Sequence, residues 1–138
     1  MTDVLAILQA LSNYPALAGR KLRIAAQGKM TVPAAFAAAL APRVESLYLA
    51  AGLISYRSIV DTEDYSYPFA NFIPKLLEHT DLPEVIAGLA PRTVALAGTV
   101  DAAGARVESN RVAEIYRAAG AVRILERADW SIEALVGA

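Results

Sequence analysis

Short apolar runs that alternate with helical patterns are the main feature of the chain. Each run is too short for a helix and lacks a clean alternation of apolar and polar residues, which is typical of a parallel strand covered on both faces. The four runs, which we predict to be strands, are "LRIAA" at 22–26, "SLYLAAG" at 46–52, "TVALAG" at 93–98 and "VRILER" at 122–127. Helical spacing covers 3–13, 32–41 and about 107–119, with one or two short helices between 69 and 89 and a last turn or two from 131 onward.

The order of these elements predicts an α/β fold. Strands that alternate with helices form right-handed crossovers and therefore a parallel sheet. We expect about four parallel strands with flanking helices in a single domain over residues 1–138, a length that buries roughly two-thirds of the unfolded surface. The interval from 53 to 92 is longer than a crossover needs and is rich in aromatics, acids and prolines, so it is predicted to shape a site or a lid.

Composition and charge exclude several classes of function. The net charge is −1 and no block of like charges occurs, so we expect neither nucleic acid nor a membrane as a partner. The absence of cysteine excludes disulfides, thiol nucleophiles and thiolate metal sites. Asp3, the lack of a basic lead and Pro15 make the N-terminus unlike a signal peptide or a spanning helix, and a cytoplasmic protein is expected.

Three stretches carry a resemblance to a known family. They are "AAQGKMTVPAAFAAAL" at 25–40, "LISYRSIVDTEDYSYPFANFIPKLLEHTDLPEVIAGLAPR" at 53–92 and "VALAGTVDAAG" at 94–104. Together they resemble the C-terminal half of a bacterial α/β-hydrolase domain of the acetyl xylan esterase and dienelactone hydrolase-like group. The resemblance implies a three-layer half-domain whose strands are the fifth to eighth of an eight-stranded sheet. The half that supplies one oxyanion-hole amide has no counterpart in this sequence.

The turn after the first strand departs from the family pattern. In α/β-hydrolases this turn reads G-x-S-x-G and carries the serine nucleophile, whereas Gly28 stands at the serine position here. Glycine makes a left-handed turn easy, and the amides from Lys29 onward open a helix N-terminus that can hold an anion. Gly28 and Lys29 are therefore candidate substrate-binding residues. The alternative is an ordinary strand-to-helix turn followed by a solvated lysine.

The acid of the family triad has a counterpart, but the histidine has none at its family position. Asp101 follows the third strand where the resemblance implies the catalytic acid, and the alternative is a turn aspartate that binds local amides. The resemblance implies a histidine after the last strand, where the sequence has Asp129, Trp130 and Ser131. His79 is the one histidine of the chain. It is a candidate general base, or else a helix-end residue bonded to a backbone carbonyl.

The long segment 53–92 supplies the other candidates. Ser58 follows the second strand and is a candidate catalytic residue, although no motif marks it as a nucleophile and a serine with a backbone partner is the usual alternative. Asp64 and Tyr65 are candidate substrate-binding residues. The acids near His79 match no known metal-ligand spacing, so we predict neither a metal nor another cofactor. Those acids are Asp61, Glu63, Asp64 and Asp81.

Two functions remain open from the sequence. One is a minimal, weak esterase that acts on small activated esters through Asp101, His79 and Ser58. Without a covalent nucleophile, a general base adds only about 10² to 10⁴-fold to the rate. The other is a catalytically inactive binding or assembly module on a hydrolase frame. A nucleotide-binding module is less well supported because the pattern G-x-G-x-x-G is absent.

The resemblance also implies an unpaired strand at the edge of the sheet. The run at 22–26 would lack the neighbour that covers it in the full domain, and it contains no proline to block pairing. The apolar fraction of 56% exceeds what one small core needs. We therefore predict a two-fold homodimer, formed by antiparallel pairing of these strands or by packing of the N-terminal helices.

Overall fold

The computed structural model describes residues 2–120 and 122–136, without the side chain of residue 136. Four parallel strands form one sheet in the order β1-β2-β3-β4, which confirms the predicted α/β fold. Residues 1, 121, 137 and 138 of the predicted domain lie outside the described part. The strands are β1 (Leu22–Gln27), β2 (Val44–Ala50), β3 (Thr93–Ala97) and β4 (Val122–Leu125), and the helices are α1 (Thr2–Asn13), α2 (Thr31–Leu40), α3 (Tyr56–Val60), α4 (Leu82–Ala87), α5 (Ser109–Ile115) and α6 (Ile132–Val136).

The two faces of the sheet are covered to different extents. On the main face, buried residues of α1, α2, α4 and α5 pack against β1, β2 and β3. The buried face of α2 is mostly alanine, and small side chains let the helix lie close to the strands. On the second face, Leu135 of α6 packs against Tyr48 and its alanine neighbours. Helices therefore lie on both faces, as a three-layer arrangement requires.

The central and edge strands differ in their burial. In β2, Leu47 and Ala50 are fully buried, and Tyr48 is buried on the second face. In β1, residues alternate instead, because Ala25 and Gln27 are exposed whereas Ala26 is buried. The run at 22–26 thus forms a strand at the sheet edge that is covered on one face only.

Helix lengths differ from the predictions where the backbone leaves helical geometry. The helix predicted over 107–119 is α5 followed by a 3-10 turn at Arg117–Ala119, since Tyr116 lies at φ −91° and ψ 13°. The segment 69–89 contains two 3-10 turns, Phe69–Asn71 and Leu76–Glu78, before α4. Within the described residues no helix is long and apolar enough to cross a membrane.

Two arginines fix the chain at the start of the sheet. The guanidinium of Arg43 donates to the carbonyls of Leu17 and Arg20, each at 2.6 Å, and so ties the segment before β1 to the segment before β2. Arg92 donates to the carbonyl of Ala38 near the end of α2. A cation is favourable there because the carbonyls at a helix C-terminus carry partial negative charge. These hydrogen bonds therefore fix the backbone just before β1, β2 and β3.

Candidate functional site

The turn after β1 has the left-handed geometry that its glycine allows. Gly28 lies at φ +56°, and the 3-10 turn Gly28–Met30 leads directly into α2. The hydroxyl of Thr31 donates to the Gly28 carbonyl at 2.7 Å. No atom lies within 4 Å of the position that a Cβ of Gly28 would take, so a side chain there would face open space.

The same turn is tied to the long segment between β2 and β3. The side-chain amide of Asn71 donates to the carbonyl of Lys29 at 2.7 Å, while the side chain of Lys29 is exposed. A Cβ on Gly52 would lie 2.6 Å from the hydroxyl of Thr31, so the turns after β1 and β2 pack without a gap. The cavity that Thr31 and Gly52 line measures about 20 Å³, which is room for about one water molecule. No ligand fits there.

A larger cleft opens between α3, the start of α4 and the segment from Asp101 to Ile115. Its volume is about 540 Å³, which is in the range of small-molecule sites. Ser58 and Asp101 both line this cleft, so the structure brings together two of the three predicted catalytic residues. His79, Gly28, Lys29, Asp64 and Tyr65 are not among the residues that line it.

Asp101 holds the loop in which it lies. Its Oδ1 atom accepts hydrogen bonds from the amides of Ala103 at 3.0 Å and Ala105 at 2.8 Å. The amide of Asp101 in turn donates to the carbonyl of Ala105 at 2.9 Å. These are the contacts of a turn aspartate. A catalytic role for Asp101 stays a prediction.

Ser58 connects α3 to the loop after β3. Its hydroxyl oxygen accepts from the amide of Ala102 at 2.9 Å, next to Asp101 in sequence. The amide of Ser58 donates to the hydroxyl of Ser55 at 3.1 Å, which caps α3. Both serines that follow the second strand therefore have backbone partners. The catalytic role of Ser58 also stays a prediction.

Asp81 is the residue that positions two walls of the cleft. Its Oδ1 accepts from the backbone amides of Tyr56 and Leu82, each at 2.6 Å. Its Oδ2 accepts from the backbone amide of Arg57 at 3.0 Å. One carboxylate thus caps α3 and α4 together, which places negative charge at two helix N-termini. Glu84 completes a capping box by accepting from the Asp81 amide at 3.0 Å. The sequence "DLPE" carries the signal for the α4 cap, but nothing in it shows the cap on α3.

The remaining predicted residues lie on the exposed part of the long segment. His79 follows a 3-10 turn and its amide donates to the carbonyl of Leu76 at 2.9 Å, while its side chain is exposed. The ring of Tyr65 lies 5.7 Å from that of Phe72, and Asp64 is exposed. Within residues 2–120 and 122–136, no group of three His, Cys, Asp or Glu side chains is placed to hold a metal ion.

Two buried tyrosines donate hydrogen bonds to backbone carbonyls. The hydroxyl of Tyr116 donates to the carbonyl of Ile54 at 2.7 Å, and that of Tyr56 donates to Asn71. Burial raises the pKa of Tyr116 above its ordinary value, and the charges of Asp81 and Glu84 raise it further. Burial likewise raises the pKa of Tyr56. Both phenols are neutral donors at neutral pH.

The segment after β4 packs on the second face of the sheet. The amide of Asp129 donates to the hydroxyl of Tyr48 at 2.7 Å, and the indole of Trp130 contacts the Tyr48 ring edge-on at 5.5 Å. Asp129 also accepts from the amide of Ser131 at 2.9 Å. The residues at the family's histidine position thus hold this segment against β2.

Comparisons with known proteins bear on the fold. No family model and no curated protein matches the sequence. A solved structure from Bacteroides fragilis, named a "putative acetyl xylan esterase", is similar with a TM-score of 0.68 and 14% sequence identity. The likeness covers 92% of this chain and 35% of that one. The chain shares the fold of part of that protein. It spans about a third of its length, and at this identity the likeness is one of fold alone.

Proposed function

We propose that the chain is a hydrolase-fold module that binds a small molecule in the cleft and does not hydrolyse it. The observation that carries the proposal is the position of His79, the one histidine of the sequence, which does not line the cleft. Hydrolysis through an activated serine needs a base within hydrogen-bond reach of the hydroxyl. The side chains of the cleft that can accept a proton from a serine are carboxylates. Carboxylates are much weaker bases than imidazole.

The lining of the cleft favours a neutral ligand. The two arginines that line it already face acids: Arg57 lies 3.7 Å from Asp61, and Arg111 lies 2.6 Å from Glu114. The carboxylates of Asp81, Glu84 and Asp101 accept hydrogen bonds from backbone amides. The hydroxyls of Ser55 and Ser58 remain able to donate, beside the apolar side chains of Ile54, Val107 and Ile115. A small ester or amide, with a carbonyl to accept and an apolar group to bury, fits this lining.

Calorimetric titration with an amide that cannot be turned over readily tests binding. We expect 4-nitroacetanilide to bind with a stoichiometry of one. Ile115→Trp should remove binding by filling the cleft, whereas Ile132→Trp, at a side chain that is 75% exposed on α6, should leave it unchanged. Equal heats for both variants and the wild type would place the ligand elsewhere or show that it does not bind.

The weak esterase is the second candidate function. It is favoured by one observation, that Ser58 and Asp101 line the same cleft, and by the fold shared with the Bacteroides fragilis protein. In that case Ser58→Ala or Asp101→Asn should abolish the hydrolysis of small activated esters. His79→Ala should do so only if the segment around His79 moves towards the cleft when a substrate binds.

A further inference from the structure

An apolar groove lies along α3, apart from the cleft. Ser58 of α3 lines the cleft, whereas Ile59 and Val60 line the groove, whose other wall is the stretch 72–78. The groove has a volume of about 380 Å³, and it shares no lining residue with the cleft. It is therefore a separate place for a ligand.

Exposed apolar side chains are concentrated at this groove. Among the described residues eleven large apolar side chains are exposed, and five of them lie in the stretch 60–77: Val60, Tyr65, Phe69, Ile73 and Leu77. Three of the five line the groove, and the rings of the other two, Tyr65 and Phe69, contact the ring of Phe72, which also lines it. A continuous apolar surface of this kind marks an interaction site.

Acidic side chains lie beside the groove. Glu63 and Asp64 come between Val60, which lines the groove, and Tyr65, whose ring contacts Phe72. Both carboxylates are exposed, and neither makes an ion pair with another described residue. These two negative charges are therefore available to a partner.

The cation of the groove does not offset these acids. Lys75 lines the groove and lies 3.9 Å from Glu78, which lines it as well, so these two charges balance each other. Over the stretch 60–78 the sequence has four acids and one lysine. The surface around the groove therefore carries an excess of negative charge, which favours a basic partner.

The walls of the groove favour a helix as the partner. One wall is α3 and the other contains the 3-10 turn Leu76–Glu78, so neither wall is a strand that could pair with an extended segment. The groove offers room for side chains instead. An amphipathic helix presents apolar side chains at i, i+3, i+4 and i+7, and these enter an apolar groove from one face.

We propose that this groove binds an amphipathic helix of another protein, with its apolar face between α3 and the stretch 72–78 and its lysines or arginines towards Glu63 and Asp64. A second copy of the chain fits less well, because two-fold pairing through the groove would bring the same acids together. The N-terminal helix α1 carries no basic residue and offers no complementary charge. An anionic lipid surface would also be repelled by these acids.

Fluorescence anisotropy with a labelled peptide tests the proposal. The probe is a peptide of about 18 residues with leucines at i, i+3, i+4 and i+7 along one face and lysines and glutamines elsewhere. We expect saturable binding to the wild type. Binding should be at least about tenfold weaker for the same peptide with glutamates in place of lysines. It should also be at least about tenfold weaker for a peptide of the same composition whose leucines no longer share one face.

Serine substitutions in the groove test where the peptide binds. Leu77→Ser should weaken binding about tenfold, whereas Leu40→Ser, at a side chain that is 62% exposed at the end of α2, should leave it unchanged. Circular dichroism checks that both variants fold. If Leu77→Ser does not fold, Val60→Ser gives the same test, because this groove side chain is 68% exposed in the wild type.

Charge reversals test the acidic side of the groove. The double variant Glu63→Lys and Asp64→Lys should bind the lysine peptide about tenfold more weakly and reduce its preference over the glutamate peptide. The matched control is Glu126→Lys with Glu133→Lys, two exposed acids outside the groove, and it should bind as the wild type does.

Several results would overturn the proposal. Equal affinity for the lysine peptide and either comparison peptide would remove the basic helix as the partner. Binding that survives both Leu77→Ser and Val60→Ser, or that 4-nitroacetanilide competes away, would place the peptide outside the groove. A dimer in sedimentation that Leu77→Ser breaks would put a second copy there. Co-sedimentation with vesicles of phosphatidylcholine and phosphatidylserine that Leu77→Ser abolishes would replace the helix by lipid.

Discussion

Two parts of the long segment between β2 and β3 are held in place by different means. The part around Asp81 is held by hydrogen bonds, since one carboxylate accepts from three amides and caps two helices. The part from Tyr65 to His79 is held by contacts between aromatic rings together with the hydrogen bonds of Asn71, and Phe69 there is 84% exposed. The part around Asp81 lines the cleft. The shape of the cleft therefore depends on the helix caps that Asp81 provides.

Removal of the shared cap should have the largest effect. Asp81→Ala removes the acceptor of three amides at the starts of α3 and α4, and loss of a cap typically costs about 0.5–2 kcal/mol for each helix. We expect a loss of about 1–4 kcal/mol in the free energy of unfolding, measured with urea. Asp64→Ala, an exposed acid in the same segment, is the matched control and should lose less than about 0.5 kcal/mol. Equal losses would remove the contrast between the two parts.

Loss of the buried phenol of Tyr116, whose acceptor residue Ile54 lines the cleft, should have an intermediate effect. Tyr116→Phe leaves the carbonyl of Ile54 without its donor, which typically costs about 1 kcal/mol of unfolding free energy. Tyr65→Phe, at a ring that is 47% exposed, should cost less than half as much. A loss in Tyr65→Phe equal to that in Tyr116→Phe would contradict the comparison.

The raised pKa of Tyr116 predicts a loss of stability in alkali. The neutral phenol is favoured in the folded state, so its contribution is fully present below the ordinary value of 10.0 and is lost as the pH rises above it. Urea unfolding as a function of pH should show a fall above that value, and the fall should be smaller in Tyr116→Phe. The same slope in both proteins would contradict the assignment.

The smallest effect is expected in the aromatic part. Phe69→Ser removes an exposed ring that stacks on Phe72 at 5.5 Å, and the free energy of unfolding should change by less than about 0.5 kcal/mol. Binding of 4-nitroacetanilide in the cleft should stay as in the wild type. A large loss of stability or of binding would show that this part supports the cleft.

The comparison also shows which features could be predicted from the sequence. All four strands follow from their apolar runs, because burial in a parallel sheet leaves a local signal at each strand. The shared location of Ser58 and Asp101 follows from their position after neighbouring strands. The caps on α3 could not be predicted, because Asp81 and Tyr56 are distant in sequence and their contact depends on the path of the loop. The exposure of His79 could not be predicted either, because it also depends on the path of the loop.

The prediction of a two-fold homodimer stays a prediction. It rests on pairing of the edge strand β1 or on packing of the N-terminal helix α1, and sedimentation velocity across a range of micromolar concentrations tests it. A particle near 14.6 kDa throughout would exclude the dimer, and a stable species of twice that mass would support it.

The central claim, binding in the cleft without hydrolysis, is tested most directly by the turnover of 4-nitrophenyl acetate. The rate with the wild type should be measured beside the rates with Asp101→Asn, Ser58→Ala and His79→Ala, each at equal protein concentration and with folding checked by circular dichroism. We predict that the rates of the wild type, Asp101→Asn and Ser58→Ala equal one another and that of a non-catalytic protein with one exposed histidine, and that His79→Ala loses only the background of a free imidazole. A wild-type rate that Asp101→Asn or Ser58→Ala abolishes would contradict the account and establish the esterase.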